Sequence, residues 1–172
     1  MNINFKQRAL KLALVSAFAL GGVAVGVNGH AASATGNATA TVIAPIAIAN
    51  TADLAFGKFA ASTGGTVVMS PAGTRTATGA VVLSTVTPGT AASFNVTGDN
   101  NATYAITLPG TASITSGVNT MSVGTFTSTP SATGTLSAAG AQTVTVGGTL
   151  TVASAQVAGA YTGTFSVTVE YN

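Results

Sequence analysis

The sequence of 172 residues is notable first for what it lacks. It contains no cysteine and no tryptophan, a single histidine, His30, and only 5% charged residues, where about 25% is usual. The absence of cysteine excludes disulfides and lipid attachment through a cysteine thiol. The hydrophobic share of 47% excludes the composition of disordered chains, which combine low hydrophobicity with high net charge.

The same shortages exclude most catalytic and metal-binding chemistry. Zinc sites need Cys or His ligands and calcium sites need clustered oxygen ligands, but Asp53, Asp99 and Glu170 are far apart in the sequence. Serine and threonine hydroxyls are plentiful, yet no histidine follows His30 to activate one. We therefore predict that the protein is not an enzyme and has no catalytic, metal-binding or cofactor-binding residues.

Residues 1–34 have the pattern of a secretory signal peptide, whose apolar part is expected to be helical. Positive charges precede an uncharged apolar run and then a stretch of small residues: Lys6, Arg8 and Lys11, then Leu12–Val27, then Gly29–Ala34. We predict cleavage after Ala34, with cleavage near Ala31 or an uncleaved anchor as the alternatives. The apolar run is short for a bilayer span, which needs about 20 residues. The expected location is the periplasm, the cell surface or the extracellular space.

Removal of this leader changes the charge balance. Two positive side chains, Lys58 and Arg75, then stand against three acidic ones, Asp53, Asp99 and Glu170, which leaves a net charge of −1. A basic surface for nucleic acid is therefore not available in the mature chain. We also expect no membrane association after cleavage of the leader.

After the leader, apolar and polar residues alternate with the period of two that is typical of strands. Phe94 and Val96 share one face, and Tyr104 and Ile106 share a face a few residues later. The residues between them, Gly98–Ala102, tolerate left-handed backbone conformations. This pattern predicts a hairpin that pairs the two strands.

Two longer strands are predicted towards the C-terminus. The apolar residues of segment 144–152 fall on one face only if a single strand runs through Gly147 and Gly148, so we predict one strand and not a hairpin. Segment 161–172 alternates without interruption, which predicts a long, half-buried antiparallel strand. Together the segments predict an antiparallel β-sandwich of about nine to eleven strands, forming a single domain over residues 35–172. Its core is expected to contain five phenylalanines: Phe56, Phe59, Phe94, Phe126 and Phe165.

The first part of that domain, residues 35–48, is predicted to be an edge strand or a strand donated to another molecule. Alternate positions give it one apolar face: Ala40, Val42, Ala44, Ile46 and Ile48. Proline at position 45 is compatible with an edge strand. The charged residues that normally protect a sheet edge from other chains are scarce here.

Segment 53–59, DLAFGKF, contains the only lysine beyond the leader. An unbroken strand would point Lys58 inward, whereas a bulge at Gly57 turns Phe59 to the core and Lys58 to water. We prefer the bulge. The alternative is a self-formed isopeptide crosslink, which joins a lysine to an asparagine or aspartate with the help of a buried acid. Lys58, Asn172 and Glu170 are of the right types, but the alternation places Glu170 and Asn172 on the outward face.

Three segments resemble a family of exported bacterial domains that are rich in Gly, Ala and Thr and have no characterised function. They read ATATVIAPIAIANTADLAFGKF, GTAASFNVTGDNNATYAITLP and VGGTLTV followed by AGAYTGTFSVTVEYN. The Leu-x-Phe-Gly phrase and the closing Gly-x-Tyr-x-Gly-x-Phe-x-Val-x-Val strand are also similar to spore-coat-U-like and pilin-like subunits. The resemblance implies an immunoglobulin-like sandwich, export, and a structural or adhesive role. It brings no catalytic residues.

The leading functional hypothesis is a surface or fimbrial subunit that assembles by β-strand addition. Its expected partners are other copies of itself, through residues 35–48, and a periplasmic chaperone. The alternative is a monomeric surface adhesin or carbohydrate-binding module that uses loops such as Gly98–Ala102. Sugar sites usually expose aromatic side chains, but Tyr104, Tyr161 and Tyr171 all lie on apolar strand faces.

Overall fold

The computed structural model describes residues 31–172, so the predicted signal helix lies outside the described residues. Residues 31–46 have no regular secondary structure. Ten strands and no helix follow in the described part: β1 (Ala47–Ala52), β2 (Phe59–Met69), β3 (Arg75–Leu83), β4 (Ala92–Thr97), β5 (Thr103–Thr107), β6 (Thr111–Ser116), β7 (Asn119–Thr129), β8 (Thr133–Thr135), β9 (Ala141–Val152) and β10 (Thr168–Tyr171). All of them belong to the compact unit Thr41–Asn172, whereas residues 31–40 belong to another unit and are exposed.

The strands form two antiparallel sheets, of seven and three strands. In the larger sheet, one edge of β9 pairs with β7, which in turn pairs with β6. The other edge of β9 pairs with β4 along its first half and with β2 along its second half, and β1 and β3 flank these two strands. The smaller sheet has the order β10-β5-β8. The prediction of an all-β, antiparallel architecture is confirmed.

Strand β9 passes without interruption through Gly147 and Gly148, as the phase of its apolar residues predicted. Its apolar side chains are all buried: Val144, Val146, Leu150 and Val152. A hairpin at the glycine pair would have placed apolar residues opposite polar ones, so burial on one face selects the single strand.

The predicted hairpin between β4 and β5 is wrong, because these strands lie in different sheets. The faces were identified correctly, since Phe94 and Tyr104 are both buried in the same core cluster. The connecting loop contains one internal turn, closed by the Ala102 N–H and Asp99 O over 3.3 Å, but it does not pair β4 with β5: the backbone N–H of Gly98 donates to Gly140 O over 2.9 Å, and that of Asn101 donates to Ser137 O over 3.1 Å. These hydrogen bonds hold the loop against the turn between β8 and β9, and the chain passes here from the larger sheet to the smaller one.

The predicted long C-terminal strand is also wrong in its extent. The alternation holds, with Val169 buried and its polar neighbours exposed, but only β10 pairs along a strand, with β5. Earlier in the segment, Thr162 makes one isolated bridge to Thr115 of β6. Segment 161–172 therefore pairs first with β6 of the larger sheet, at Thr162, and then with β5 of the smaller sheet, along β10.

Two apolar clusters make up the core. The first lies between the two sheets and includes Phe94, Val96, Tyr104 and Ile106. The second is formed by apolar residues of the larger sheet together with Phe56: Val67, Met69, Val81, Met121, Val123, Leu150 and Val152. No strand of the smaller sheet contributes buried residues to the second cluster. This half of the larger sheet is instead bordered by irregular segments, and the result is an open groove.

Of the predicted core phenylalanines, Phe56 and Phe94 are buried, while Phe59, Phe126 and Phe165 are half-buried. Phe126 packs against both clusters, whereas Phe165 packs against the first. The Phe165 ring stacks on Phe126 at a centroid distance of 5.1 Å and meets Phe94 edge-on at 6.1 Å. Such aromatic pairs add about 0.5–1.5 kcal/mol beyond the area they bury.

Candidate functional site

The groove above the second core cluster has a volume of about 1130 Å³. Its floor comes from β6, β7 and β9 and is apolar: Ile114, Met121, Val123, Phe126, Leu150 and Val152. Segment 54–61 forms one wall, and segment 156–165, named the strap here, forms the other. An apolar concavity of this size is a natural binding site in a soluble domain.

The side chains of segment 54–61 change the face on which they are buried at Gly57, as the sequence predicted. Gly57 adopts φ +67°, a conformation that favours glycine. Phe56 before it is buried and Phe59 after it packs against the second cluster. Lys58 between them is exposed to water. A Cβ at Gly57 would lie 2.2 Å from Thr87 O, so close packing also requires glycine.

Arg75 holds this wall in place, a role that sequence reasoning did not identify. Its guanidinium donates to Phe56 O over 2.7 Å and to Lys58 O and Thr87 O over 3.2 Å each, and also to Ser84 O. The two loops that it joins, around residues 56–58 and 84–87, belong to no strand. Two backbone hydrogen bonds also link them, from Lys58 N–H to Thr87 O over 3.1 Å and from Ser84 N–H to Lys58 O over 3.0 Å. The one signal in the sequence is that Arg75 is the only arginine after residue 34.

The strap is held by few hydrogen bonds. Tyr161 donates its hydroxyl to Val157 O over 2.7 Å and accepts from Gln156 Nε2 over 2.8 Å. Thr162 and Thr115 exchange backbone hydrogen bonds of 2.8 and 3.0 Å.

Beyond Thr162, the backbone groups of residues 163–167 make no backbone hydrogen bond within the described part of the chain. We call residues 163–167 the free edge. Because its backbone groups are unpaired, the free edge offers donors and acceptors to an added strand.

The predicted donor face divides between two environments. Ala40, Val42 and Ala44 are exposed, and Val42 retains 96% of its accessible surface. Ile46 and Ile48 are half-buried and pack against the first core cluster. Ile48 belongs to β1 and pairs with Val96 of β4. The available part of the segment therefore ends before Ile46.

The three residues of the hypothetical crosslink do not form a buried site. Lys58 lies in the wall of the groove, whereas Glu170 is opposite Ala105 in the smaller sheet and Asn172 follows β10. All three are exposed. The crosslink needs a buried acid, and the exposure of Glu170 gives this hypothesis no support.

The tyrosines serve the fold. Tyr104 is fully buried and donates its hydroxyl to Gln142 Oε1 over 2.7 Å. Burial raises the pKa of the Tyr104 phenol, because desolvation disfavours the phenolate. The half-buried Tyr171 donates to Ala44 O over 2.8 Å and accepts from the Asp99 N–H over 2.6 Å. Neither ring offers the exposed aromatic face that sugar binding usually employs.

In residues 31–172, no three His, Cys, Asp or Glu side chains come together in a group that would hold a metal ion. Within the same residues, no helix is long and apolar enough to cross a membrane.

A family model described as a domain of unknown function, DUF4402, matches residues 46–171, well over half of the chain. This confirms the predicted relationship to an uncharacterised domain family. The similarity to spore-coat-U-like and pilin-like subunits stays a prediction. The search of curated proteins gave no match, and neither did the search of solved structures.

Proposed function

We propose that this chain, which belongs to the DUF4402 domain family, is an exported structural subunit that assembles with copies of itself by β-strand addition. In this proposal residues 1–34 are a cleaved leader and the strands form a variant of the immunoglobulin-like sandwich. The protein acts as a non-enzymatic surface or fimbrial subunit, and a periplasmic chaperone protects it before assembly.

The observation that supports this function is the exposure of apolar residues just before β1. Val42 is 96% exposed and Ile43 is 50% exposed, and neither belongs to a strand. Residues 31–52 contain no charged side chain. A β-favouring segment without charges, and without a strand partner in its own domain, is suited to pair with another chain's sheet edge.

Deletion of residues 35–43 from the full chain tests this function. The deletion retains Ala44, whose carbonyl accepts from Tyr171, and all of β1. Expressed in an exporting bacterial host and purified, the variant is expected to remain monomeric, while the unaltered protein forms linear assemblies. Size-exclusion chromatography and electron microscopy measure the difference. Equal assembly of the two proteins, or a lack of assembly by the unaltered protein, would contradict the proposed function.

Two substitutions provide a matched control. Val42→Asp places a charge on the predicted donor face, whereas Ile43→Asp places the same charge on the opposite face of the same segment. Because successive side chains of a strand point in opposite directions, Val42→Asp is expected to reduce assembly at least ten-fold more than Ile43→Asp. A monomeric unaltered protein would instead favour the alternative hypothesis, a monomeric surface adhesin or carbohydrate-binding module.

A further inference from the structure

We propose that the groove above the second core cluster is the acceptor site for strand addition, and that its occupant is the segment 35–43 of a second copy of this chain. This inference rests on the proposed function and adds the place where the added strand binds. The groove is lined by described residues of the compact unit Thr41–Asn172.

The floor of the groove fits one face of a strand. Its apolar residues come from three neighbouring strands, β6, β7 and β9. The smaller sheet, which covers the first core cluster, contributes nothing to cover the second. A strand with small or branched apolar residues at alternate positions, such as Ala40 and Val42, would cover this floor as the smaller sheet covers the first cluster.

The free edge favours a polypeptide over an apolar small molecule. The backbone groups of residues 163–167 are unpaired, and residues 163–165 are part of the strap that forms one wall. An apolar ligand would leave those donors and acceptors unpaired, whereas an added strand would form a ladder with them.

The position of the groove favours a second copy over the chain's own N-terminal segment. The Tyr171 hydroxyl donates to Ala44 O and accepts from the Asp99 N–H. Asp99 follows the end of β4 at which Thr97 pairs with Ala141, the first residue of β9. Leu150 and Val152, in the floor of the groove, lie at the opposite end of β9. Strand β9 has 12 residues and therefore spans roughly 35 Å.

The donor therefore leaves the domain near one end of β9, while the acceptor lies towards the other end. Contacts of this head-to-tail kind use two different surfaces of each copy, and they produce open linear assemblies when the rotation does not close. The proposed function requires an assembly of this type.

Cysteine pairs test the acceptor site directly, because the chain contains no cysteine of its own. One full-length chain carries Val42→Cys or Ala40→Cys, on the donor face. A second, with a size tag, carries Thr164→Cys, an exposed residue of the groove wall and free edge. The matched control replaces Thr76, an exposed residue of β3 outside the groove.

After mixing and oxidation, disulfide-linked heterodimers with Thr164→Cys are expected to exceed those with Thr76→Cys at least ten-fold on non-reducing gels. Linear assembly without this preference would overturn the acceptor site while leaving the proposed function intact. Absence of assembly by the unaltered protein would overturn both. Thr164 and Thr76 are exposed, so neither substitution disturbs the core, and circular dichroism checks that each variant is folded.

Discussion

Gly147→Ala is expected to destabilise the domain by about 3 kcal/mol, at the upper end of the usual cost of overpacking. A Cβ at this position would lie 2.1 Å from Met69 O and 2.7 Å from Ser70 C. Both are backbone atoms at the end of β2, and they cannot move without breaking the β2–β9 pairing. Thermal unfolding followed by circular dichroism measures the loss, which corresponds to roughly 10 °C in Tm for a domain of this size.

The neighbouring Gly148→Ala is the matched control, since both glycines are buried in the same strand. Its Cβ would meet only side chains, Phe126 at 3.2 Å and Val123 at 3.3 Å. The half-buried Phe126 ring can shift, and alanine reduces the freedom of the unfolded chain, so a change within about 1 kcal/mol is expected. Equal losses in the two variants would show that β2 does not approach β9 at Gly147.

Arg75→Met is expected to cost about 2–4 kcal/mol of unfolding free energy. Methionine retains much of the apolar length but donates no hydrogen bond, and the substitution leaves the carbonyls of Phe56 and Ser84 without their donor. Hydrogen bonds to charged groups contribute about 1.5–3 kcal/mol each, and water will replace part of this loss because the site is only partly buried. Urea unfolding gives the free energy.

Lys58→Met is the control for Arg75→Met, because Lys58 is the other Lys or Arg side chain of residues 31–172 and lies in the same wall of the groove. Lys58 is exposed, so a change within about 0.5 kcal/mol is expected. If the two substitutions cost the same, the effect of Arg75 is one of net charge, and its hydrogen bonds do not hold the wall.

Where apolar and polar residues alternate, the sequence predicted which face of a strand is buried, because burial follows directly from the alternation of side chains. It was right for β9, β4 and β5, and for the change of face at Gly57. The partner of each strand could not be predicted in the same way. Phe94 and Tyr104 have the same inward pattern whether their strands pair with each other or face each other across the core.

The site shows the same limit. Residues 35–48 were predicted to be an edge strand or a donated strand, and the exposure of Val42 outside any strand is compatible with donation. The groove, however, depends on the partner of segment 161–172, which the alternation does not specify. Arg75 was missed because its four acceptors are backbone carbonyls from two distant loops. Backbone acceptors leave no pattern of residue types in a sequence.

Hydrogen exchange at the free edge is the sharpest test of strand addition at the groove. The full chain lacking residues 35–43 is mixed with a synthetic peptide of residues 35–45, and amide exchange is followed with and without the peptide. We expect the peptide to slow exchange at residues 163–167 at least ten-fold, because the added strand pairs with their backbone. Unchanged exchange there, or slower exchange only at another edge such as β3, would show that the strand does not bind at the groove.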